Sequence, residues 1–196
     1  KNDLNSIADF CKDVTNSLQF PVFVKPANSG SSIGISKCAQ AQELKSAILK
    51  AFDYDDKVIC EQAVSDCKEV ECAVLGNENP DAARVLGEIE SSGEFYDYDS
   101  KYNVESKLTI PADLSEEITA EVRKIAVKAY KAIDCRGLAR VDFLISESDG
   151  IVLNEINTLP GFTEISMFPK LWAESGLKGP ALVKKLVDLA NEDAVK

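Results

Sequence analysis

The residues with the clearest capacity for chemistry lie on a predicted β-hairpin that spans residues 138–157, with its turn centred on a Ser-Asp pair. Side chains alternate between the two faces of a strand, so Arg140 and Asp142 share one face. A short loop with an even number of residues places Asp142 opposite Glu155 and Arg140 opposite Asn157. Two carboxylates, an amide and a guanidinium are therefore expected to converge on one patch.

Such a patch suits a hard divalent cation, because magnesium prefers carboxylate and carbonyl oxygens and takes further ligands from substrate phosphates. Without a metal, Asp142 and Glu155 would repel each other. The same alternation predicts that Leu153 shares the face of Glu155 and Asn157. A solvated strand face with one cross-strand Arg–Asp ion pair is the alternative, and spacing alone leaves both open.

A second candidate is the segment 25–34, KPANSGSSIG, which is rich in small residues. Small residues let backbone N–H groups and hydroxyls approach a polyphosphate, and the lysine adds a point charge. The order differs from the P-loop pattern, because the lysine precedes the glycines and no helix follows at once. A plain surface turn is the alternative.

Carboxylates near the ends of two further predicted strands form a third candidate. Glu61 lies near the end of one strand, and Glu69 and Glu71 lie at the start of the next. A carboxylate at a strand end can accept hydrogen bonds from a ribose or an adenine amine. Purely structural roles for Glu61 and Glu69 remain open.

The stretch from Asn157 to Met167 is a fourth candidate. Pro160 and Gly161 force a turn directly after the strand that carries the predicted metal ligands. Backbone N–H groups at such a turn can face the reacting atoms, although a simple connecting turn is the alternative.

Composition narrows the classes of function. The formal net charge of -11 argues against a nucleic-acid partner, because phosphate binding relies on clustered Lys and Arg. The sequence has no apolar run long enough to span a bilayer as a helix, so a membrane partner is not expected. Histidine is absent, which excludes Ser-His-Asp and Cys-His mechanisms and His-ligated zinc if this chain holds its own active site.

Cysteine usage and the first residues bear on the cellular context. The six cysteines form no C-x-x-C pair and fall mostly in apolar segments, which favours reduced thiols in a cytosolic protein over a disulfide framework. The chain begins with neither an initiator Met nor a signal peptide, as expected of a fragment.

The elements that must position these residues follow from hydrophobic periodicity and turn signals. Helices are predicted at residues 2–18, 40–52, 114–133, 169–175 and 180–191. Strands are predicted at residues 20–26, 35–38, 57–64, 69–75, 84–90, 107–110, 138–146 and 151–157, with the third and fourth joined by a turn. Asp113, followed by Glu116, is the predicted N-cap of the third helix, and the turn cluster at 77–81 is the predicted internal boundary. A long polar and aromatic loop, as at residues 91–103, is typical of a functional or disordered segment.

Taken together, these segments resemble the D-alanine–D-alanine ligases of the ATP-grasp superfamily. The matching stretches are VKPANSGSSIG (24–34), EQAV (61–64), KEVECAVLG (68–76), FYDYDSKY (95–102), RVD (140–142) and NEINTLPGFTEISMFP (154–169). They occur in the family's order and spread over nearly the whole chain, and the last of them is quite specific.

The resemblance implies an α+β fold of the ATP-grasp type, in which two α+β subdomains with mainly antiparallel sheets clasp ATP between them. Residues 1–77 are expected to be the central, nucleotide-clasping subdomain, and residues 78–196 the C-terminal catalytic, metal-binding subdomain. The family's N-terminal domain is absent from this chain, so we expect the isolated fragment to turn over poorly or not at all.

The resemblance also implies roles for individual residues. ATP contacts are expected from Lys25, Ser31, Ser32, Glu61, Gln62, Ala63, Val64, Glu69, Lys101 and Asn157. Two Mg²⁺ or Mn²⁺ ions are expected on Asp142, Glu155 and Asn157. Catalytic roles are expected for Arg140, Gly161, Ser31 and Tyr102, and substrate contacts for Arg140, Gly161, Ser166, Met167 and Tyr102. Arg140 and the N–H of Gly161 are expected to form an oxyanion hole.

The function implied by the resemblance is ATP-dependent ligation of two D-alanines through a D-alanyl phosphate, for peptidoglycan precursor synthesis. The resemblance also implies a cytoplasmic location and a homodimeric full-length enzyme. Tyr102 stands where D-lactate-using relatives carry histidine, which favours an amine acceptor, D-alanine first and D-serine second. A D-alanine–D-serine ligase, another ATP-grasp carboxylate–amine ligase and a non-catalytic nucleotide-binding module are the alternatives.

Overall fold

The computed structural model describes residues 4–30, 32–90 and 107–194 of the chain. The chain folds into two compact units. Among the described residues, the first unit runs to Ser65, and the second begins at Asp66. Each unit has its own sheet and its own hydrophobic core.

The first unit is a small antiparallel sheet covered by two helices. Its elements are α1 (Leu4–Ser17), β1 (Val22–Pro26), β2 (Ser36–Cys38), a 3-10 turn (Ala41–Glu43), α2 (Leu44–Ala51) and β3 (Val58–Gln62). The strand order is β2-β1-β3. Val22 and Val24 point from β1 into a core that also takes Leu44 and Ile48 from α2, and all four side chains are fully buried. The helices and strands predicted for this part of the chain are confirmed.

The second unit is built on a larger antiparallel sheet. Its elements are β4 (Lys68–Gly76), β5 (Asp81–Ala82), β6 (Gly87–Glu90), β7 (Lys107–Thr109), α3 (Glu116–Ala132), β8 (Gly137–Ser146), β9 (Gly150–Asn157), α4 (Met167–Glu174) and α5 (Gly179–Ala194). The strand order is β7-β6-β4-β8-β9, and β5 pairs with β4. With helices and antiparallel sheets in both units, the predicted α+β class is confirmed.

Strand β4 explains why the observed division of the chain precedes the predicted boundary at residues 77–81. The sequence predicts that β3 and β4 are joined by a turn, and both strands are present, but they lie in different sheets. Strand β4 pairs with β8 along its whole length, from Lys68 opposite Ile145 to Gly76 opposite Gly137. Such a ladder ties β4 to the second unit, so the division falls at Ser65.

The two faces of β4 enter different cores. Val70, Cys72 and Val74 pack against α3 and β8, while Ala73 and Leu75 pack with α4 and α5. This strand is therefore buried on both sides at its carboxyl end, which accounts for its continuous apolar run.

Helix α3 is capped and fastened by side chains. The predicted N-cap, Asp113, is wrong: the helix begins at Glu116, and the Oγ of Ser115 accepts a hydrogen bond of 3.2 Å from the N–H of Ile118. The buried hydroxyl of Tyr130 donates to the carbonyl of Gly76 at 2.7 Å and so ties the last turn of α3 to the end of β4.

All six cysteines lie in the described part of the chain, and all six are free thiols. Burial raises the pKa of Cys60 to about 11 and that of Cys72 to about 12, so both thiols stay protonated at neutral pH. Over the described ranges, no helix combines the length and apolar character needed to cross a membrane.

Candidate active site

The predicted pairing of chemical groups on β8 and β9 is confirmed. Asp142 lies directly opposite Glu155, and Arg140 lies directly opposite Asn157. Paired residues in an antiparallel ladder project to the same face of the sheet. The four side chains therefore share one face of the second unit.

The hairpin reaches this register by a different route from the one predicted. Ser146 pairs with Gly150, so the turn holds an odd number of residues, and a β-bulge then shifts the pairing between Asp142 and Phe143. Because of the bulge, the face predicted for Leu153 is wrong. Leu153 pairs with Phe143, whose side chain is in the core on the other face, and so it does not share the face of Glu155.

Arg140 is held by two carboxylates. Its Nε and Nη2 donate to the two oxygens of Asp142, each at 2.7 Å, in a bidentate arrangement. Its Nε also lies 3.2 Å from Oε1 of Glu71 on the neighbouring strand β4. The sequence left open an Arg–Asp ion pair between two strands. An Arg–Asp pair does form, but both residues lie on β8, and Glu71 of β4 is a further partner of Arg140.

The charge of Arg140 is stabilised by its surroundings. Burial alone would lower the pKa of its guanidinium, but the hydrogen bonds and negative charge of Asp142, with the charges of Glu71 and Glu155, raise that pKa above its ordinary value. Arg140 is consequently a fixed positive charge at every accessible pH, suited to stabilising a developing negative charge.

Carboxylates form a row across three neighbouring strands at this point. Glu71 on β4 pairs with Asp142 on β8, which pairs with Glu155 on β9. Glu71 is buried, with 6% of its surface exposed, whereas Glu155 is exposed. The row therefore runs from the interior of the sheet to an open edge.

The oxygens at the open end fit a hard cation. Asp142 and Glu155 supply adjacent carboxylates, and the amide oxygen of Asn157 accepts a hydrogen bond of 3.2 Å from the N–H of Leu159, which fixes its direction. Two carboxylates and one amide oxygen are a donor set that magnesium accepts. In the described part of the chain, no three His, Cys, Asp or Glu side chains are grouped so that they could hold a metal by themselves.

The loop after β9 is organised by one serine. The Oγ of Ser166 accepts a hydrogen bond of 3.0 Å from the N–H of Thr163 and lies 2.9 Å from the Thr163 hydroxyl. A Cβ atom on Gly161 would lie only 2.8 Å from the same Oγ. Gly161 and Ser166, both predicted to contact substrate, are thus brought together, and Leu159 and Ile165 beside them are 83% and 79% exposed.

Met167 contributes to packing. Its side chain points from the first turn of α4 into the core, and its sulfur would collide with a Cβ atom placed on Gly87. Met167 therefore lies directly on the backbone of β6, and its side chain is committed to the core.

In the first unit, the predicted nucleotide-binding residues Lys25 and Glu61 face each other. Lys25 follows Phe23 on one face of β1, and Phe23 pairs with Glu61. Nζ of Lys25 lies 2.5 Å from Oε2 of Glu61, and the side chains are 19% and 42% exposed. One partly exposed lysine and one carboxylate are therefore available to an approaching ligand.

The Ser/Gly-rich loop has a defined backbone on both sides of Ser31. Ser32 adopts φ of 58°, and Gly34 adopts φ of 76°, both in the left-handed region. Gly34 also packs closely: a Cβ atom there would lie 2.6 Å from Tyr54 and 2.8 Å from Pro26. The loop is anchored at its start by Asp55, which accepts hydrogen bonds of 2.8 Å from the backbone and side-chain nitrogens of Asn28.

The segment predicted to contact adenine continues from β3. The side-chain oxygen of Gln62 accepts a hydrogen bond from the N–H of Gln19, and the N–H of Ala63 donates to the carbonyl of Pro21, each at 3.0 Å. The Ala63 N–H is thus used within the protein. Val64 is the last residue of this segment and lies in the first unit. Glu69 lies on β4 of the second unit, opposite Leu144.

Three predicted residues, Ser31, Lys101 and Tyr102, lie outside the residues that the structure describes. Glu71 was predicted only as one of the carboxylates at strand ends, and its contact with Arg140 was not predicted. Its position two residues after Glu69 on a strand placed both on one face, but only the pairing of β4 with β8 brings Glu71 to Arg140.

Comparison with known proteins finds similarity to one ligase family over almost the whole chain. The family model described as "D-ala D-ala ligase C-terminus" matches residues 1–188. A D-alanine--D-alanine ligase of Acetivibrio thermocellus is 52% identical over 190 residues, which are 96% of this chain and 49% of that protein. The chain thus spans about half the length of the curated relatives it matches.

The similar solved structures are ligases as well. The D-alanine-D-alanine ligase from Coxiella burnetii has a TM-score of 0.80 at 35% identity, over 98% of this chain and 50% of that one. The VanG D-Ala:D-Ser ligase from Enterococcus faecalis has a TM-score of 0.83 at 40% identity, over 94% of this chain and 53% of that one. The predicted ATP-grasp fold is confirmed, and the chain belongs to the D-ala D-ala ligase C-terminus family.

Proposed function

We propose that the protein carrying this chain ligates two D-alanines with ATP, through a D-alanyl phosphate, and releases ADP and phosphate. The observation that supports this most strongly is the register of β8 and β9, which aligns Arg140 and Asp142 with Asn157 and Glu155 on one face. The family membership and the similarity to named D-alanine--D-alanine ligases point to the same activity.

In this proposal the first unit binds the nucleotide. Lys25 contacts the phosphates, and its ion pair with Glu61 holds the ammonium on the open face of the sheet until ATP arrives. Ser31 and Ser32 cover the phosphates, and Glu61 accepts hydrogen bonds from the nucleoside. The left-handed backbone of Ser32 supports this role, because such a turn can direct successive N–H groups toward an anion.

Further nucleotide contacts complete the proposal. The backbone of Gln62–Val64 contributes through groups other than the N–H of Ala63, which already donates to Pro21. Glu69 and Lys101 are the remaining proposed contacts to ATP.

The second unit carries the chemistry. The carboxylate of the first D-alanine attacks the γ-phosphate of ATP, and the amine of the second D-alanine then attacks the acyl carbon, with phosphate as the leaving group. Arg140 and the N–H of Gly161 stabilise the negative charge on the acyl oxygen in that second step. Ser166 keeps the backbone around Gly161 in place through its bonds to Thr163. Ser166, the backbone of Met167 and Tyr102 contact the second D-alanine.

A divalent cation belongs to the proposal because of the oxygens present. Asp142, Glu155 and Asn157 would hold Mg²⁺ or Mn²⁺, two ions in all, and the ions would supply positive charge to the phosphates. Removal of the cation is therefore expected to abolish turnover.

The test is an assay of ADP formation by the full-length protein with ATP, Mg²⁺ and one amino acid at a time. We expect ADP formation to depend on D-alanine and to yield D-alanyl-D-alanine, detected by mass spectrometry. Succinate, glycine and L-alanine serve as control carboxylates. Turnover with one of these and none with D-alanine would assign the chain to another carboxylate–amine ligase.

A D-alanine–D-serine ligase is the second candidate, because the VanG D-Ala:D-Ser ligase is among the similar solved structures. The two candidates share the first step and differ only in the acceptor. D-Alanine supplied with an equal concentration of D-serine or D-lactate separates them by the mass of the product. We expect the D-alanine dimer to dominate, whereas a mixed D-alanyl-D-serine product would favour the second candidate.

Three finer expectations rest on the family resemblance and are part of the proposal. The enzyme acts in the cytoplasm, it forms a homodimer, and its first and second units correspond to the family's central and C-terminal subdomains. Light scattering of the full-length protein tests the dimer, and a monomer at the concentration of the assay would contradict it.

A further inference from the structure

Glu71 is a buried carboxylate in the middle of a strand. It lies on β4, opposite Asp142 of β8 on one side and opposite Gly87 of β6 on the other. Only 6% of its surface is exposed. Burying a carboxylate costs free energy unless it is paired, so this position calls for an explanation beyond packing.

The contact that explains Glu71 is with Arg140. Oε1 of Glu71 lies 3.2 Å from the Nε of Arg140, which also donates to Asp142. The second donor of Arg140 in this arrangement, Nη2, goes to the other oxygen of Asp142. Asp142 and Glu71 together therefore hold the guanidinium along its Nε–Nη2 edge.

We propose that Glu71 is a positioning residue that keeps Arg140 aimed at the acyl oxygen while Asp142 binds the cation. This inference rests on the proposed function, in which Asp142 is a metal ligand and Arg140 stabilises the oxyanion. Both oxygens of Asp142 face Arg140, so a cation that draws on those oxygens weakens their hold on the guanidinium. Glu71 keeps a second anion at the Nε.

The placement of Glu71 separates this role from that of a metal ligand. The exposed Glu155 and the partly exposed Asn157 lie on the other side of Asp142, on β9. Glu71 lies on β4, towards the interior of the sheet, and its Oε1 faces a guanidinium. In the described ranges, Asp142 and Glu155 are joined by no third carboxylate in a metal-binding group.

The experiment compares Glu71→Gln with Glu88→Gln in the full-length protein. Glu88 is a matched control, because it is similarly buried, lies on β6 of the same sheet and pairs with Lys68 at 3.0 Å. Its pairing with Val70 places it on the opposite face from Arg140. We expect Glu71→Gln to lower kcat about tenfold or more, with the KM for ATP nearly unchanged, because a charge-assisted bond to Arg140 is lost. Glu88→Gln should leave kcat within about twofold.

A spectroscopic readout makes the test independent of turnover. With ¹⁵N-labelled arginine, the Nε–H signal of Arg140, assigned with Arg140→Lys, should persist in the wild type when Mg²⁺ and ADP are added. In Glu71→Gln the same addition should broaden the signal or abolish it. Glu71→Asp, which keeps the charge but shortens the side chain, should give an intermediate result and replaces Glu71→Gln if that variant does not fold.

Each other outcome overturns the inference. A wild-type kcat in Glu71→Gln, or equal losses in Glu71→Gln and Glu88→Gln, would leave Glu71 with a structural role only. A higher Mg²⁺ requirement with an unchanged Arg140 signal would make Glu71 a metal ligand instead. If the wild type fails to use D-alanine, the proposed function fails, yet the Arg140 signal still tests the contact with Glu71.

Discussion

The two units hold their functional candidates in different ways. In the first unit, Lys25 meets Glu61 in a single ion pair, and Glu61 is 42% exposed. In the second unit, Arg140 is bound by a bidentate contact to Asp142 and by Glu71, and all three side chains are largely buried. Exposed single ion pairs stabilise a geometry weakly, whereas a buried, forked arrangement fixes it.

This difference fits the two proposed roles, nucleotide binding by the first unit and transition-state stabilisation by the second. Groups that bind and release a nucleotide can exchange one partner for another, as a lysine held by a single, partly exposed carboxylate does. Groups that stabilise a transition state work best when they are already in place before the substrate arrives. We therefore expect changes in the first unit to alter KM for ATP, and changes in the second to alter kcat.

The largest effect should come from Arg140→Lys. A lysine keeps the charge but cannot reproduce the bidentate contact to Asp142, so the oxyanion loses a fixed donor. Loss of one such donor typically costs about 2.7–4 kcal/mol, or roughly 10²–10³ in kcat. Steady-state kinetics of the full-length protein measures this.

Arg123→Lys is the matched control, because Arg123 binds the carbonyls of Ala82 and Ala83 and lies away from Asp142. It should lower stability without lowering the kcat of the folded enzyme. Equal losses of kcat in the two variants would contradict the special placement of Arg140.

Lys25→Met should mainly weaken nucleotide binding. Charge-assisted hydrogen bonds contribute about 1.5–3 kcal/mol, so KM for ATP should rise roughly tenfold or more, with a smaller change in kcat. Lys37→Met is the control, since Lys37 is exposed on the same face of the sheet, opposite Phe23. If the two variants have the same KM for ATP, Lys25 has no special role.

Gly34→Ala should destabilise the first unit by about 1–3 kcal/mol. The cause is twofold, because Gly34 has φ of 76° and a Cβ atom would lie 2.6 Å from Tyr54. Gly30→Ala in the same loop meets no atom within 4 Å and should be nearly neutral. Thermal unfolding of both variants checks this, and equal melting temperatures would mean that the loop rearranges freely.

The smallest effect concerns Asp55 and acid. Hydrogen bonds from the backbone of Lys57 and then from Asn28 lower the pKa of this carboxyl below its ordinary value. A lowered folded-state pKa means that the stabilisation is present at neutral pH and is lost as the pH falls through that pKa. The difference in melting temperature between wild type and Asp55→Asn, measured at low salt, should therefore shrink on acidification. A difference that is constant with pH would contradict this.

The second unit also shows which parts of the site can be predicted from the sequence. Arg140 and Asp142 pair with Asn157 and Glu155 as predicted, but through a three-residue turn and a bulge instead of an even-numbered turn. The shared face of Arg140 and Asp142 was predictable from strand alternation. The bulge that moves Leu153 to the core face was not, because a bulge leaves no clear mark in the pattern of apolar residues.

Long-range pairing was the part that sequence could not supply. The local sequence pattern does not indicate that β4 lies in a different sheet from β3 and pairs with β8. For that reason the contact of Glu71 with Arg140 and the division at Ser65 could not be predicted. Helix capping failed for a local reason, since Asp113 and Ser115 are both good capping residues and only the first turn of α3 decides between them.

The most direct measurement of the central claim is ADP formation by Glu155→Gln in the full-length protein, with Glu147→Gln in the turn of the same hairpin as control. Glu155 lies opposite Asp142, whereas Glu147 is exposed in the turn. We predict that Glu155→Gln folds normally and loses D-alanine-dependent ADP formation by roughly 100-fold or more, because a metal ligand has been neutralised. Wild-type turnover in Glu155→Gln at ordinary Mg²⁺ concentrations would contradict the assignment of this face as the active site.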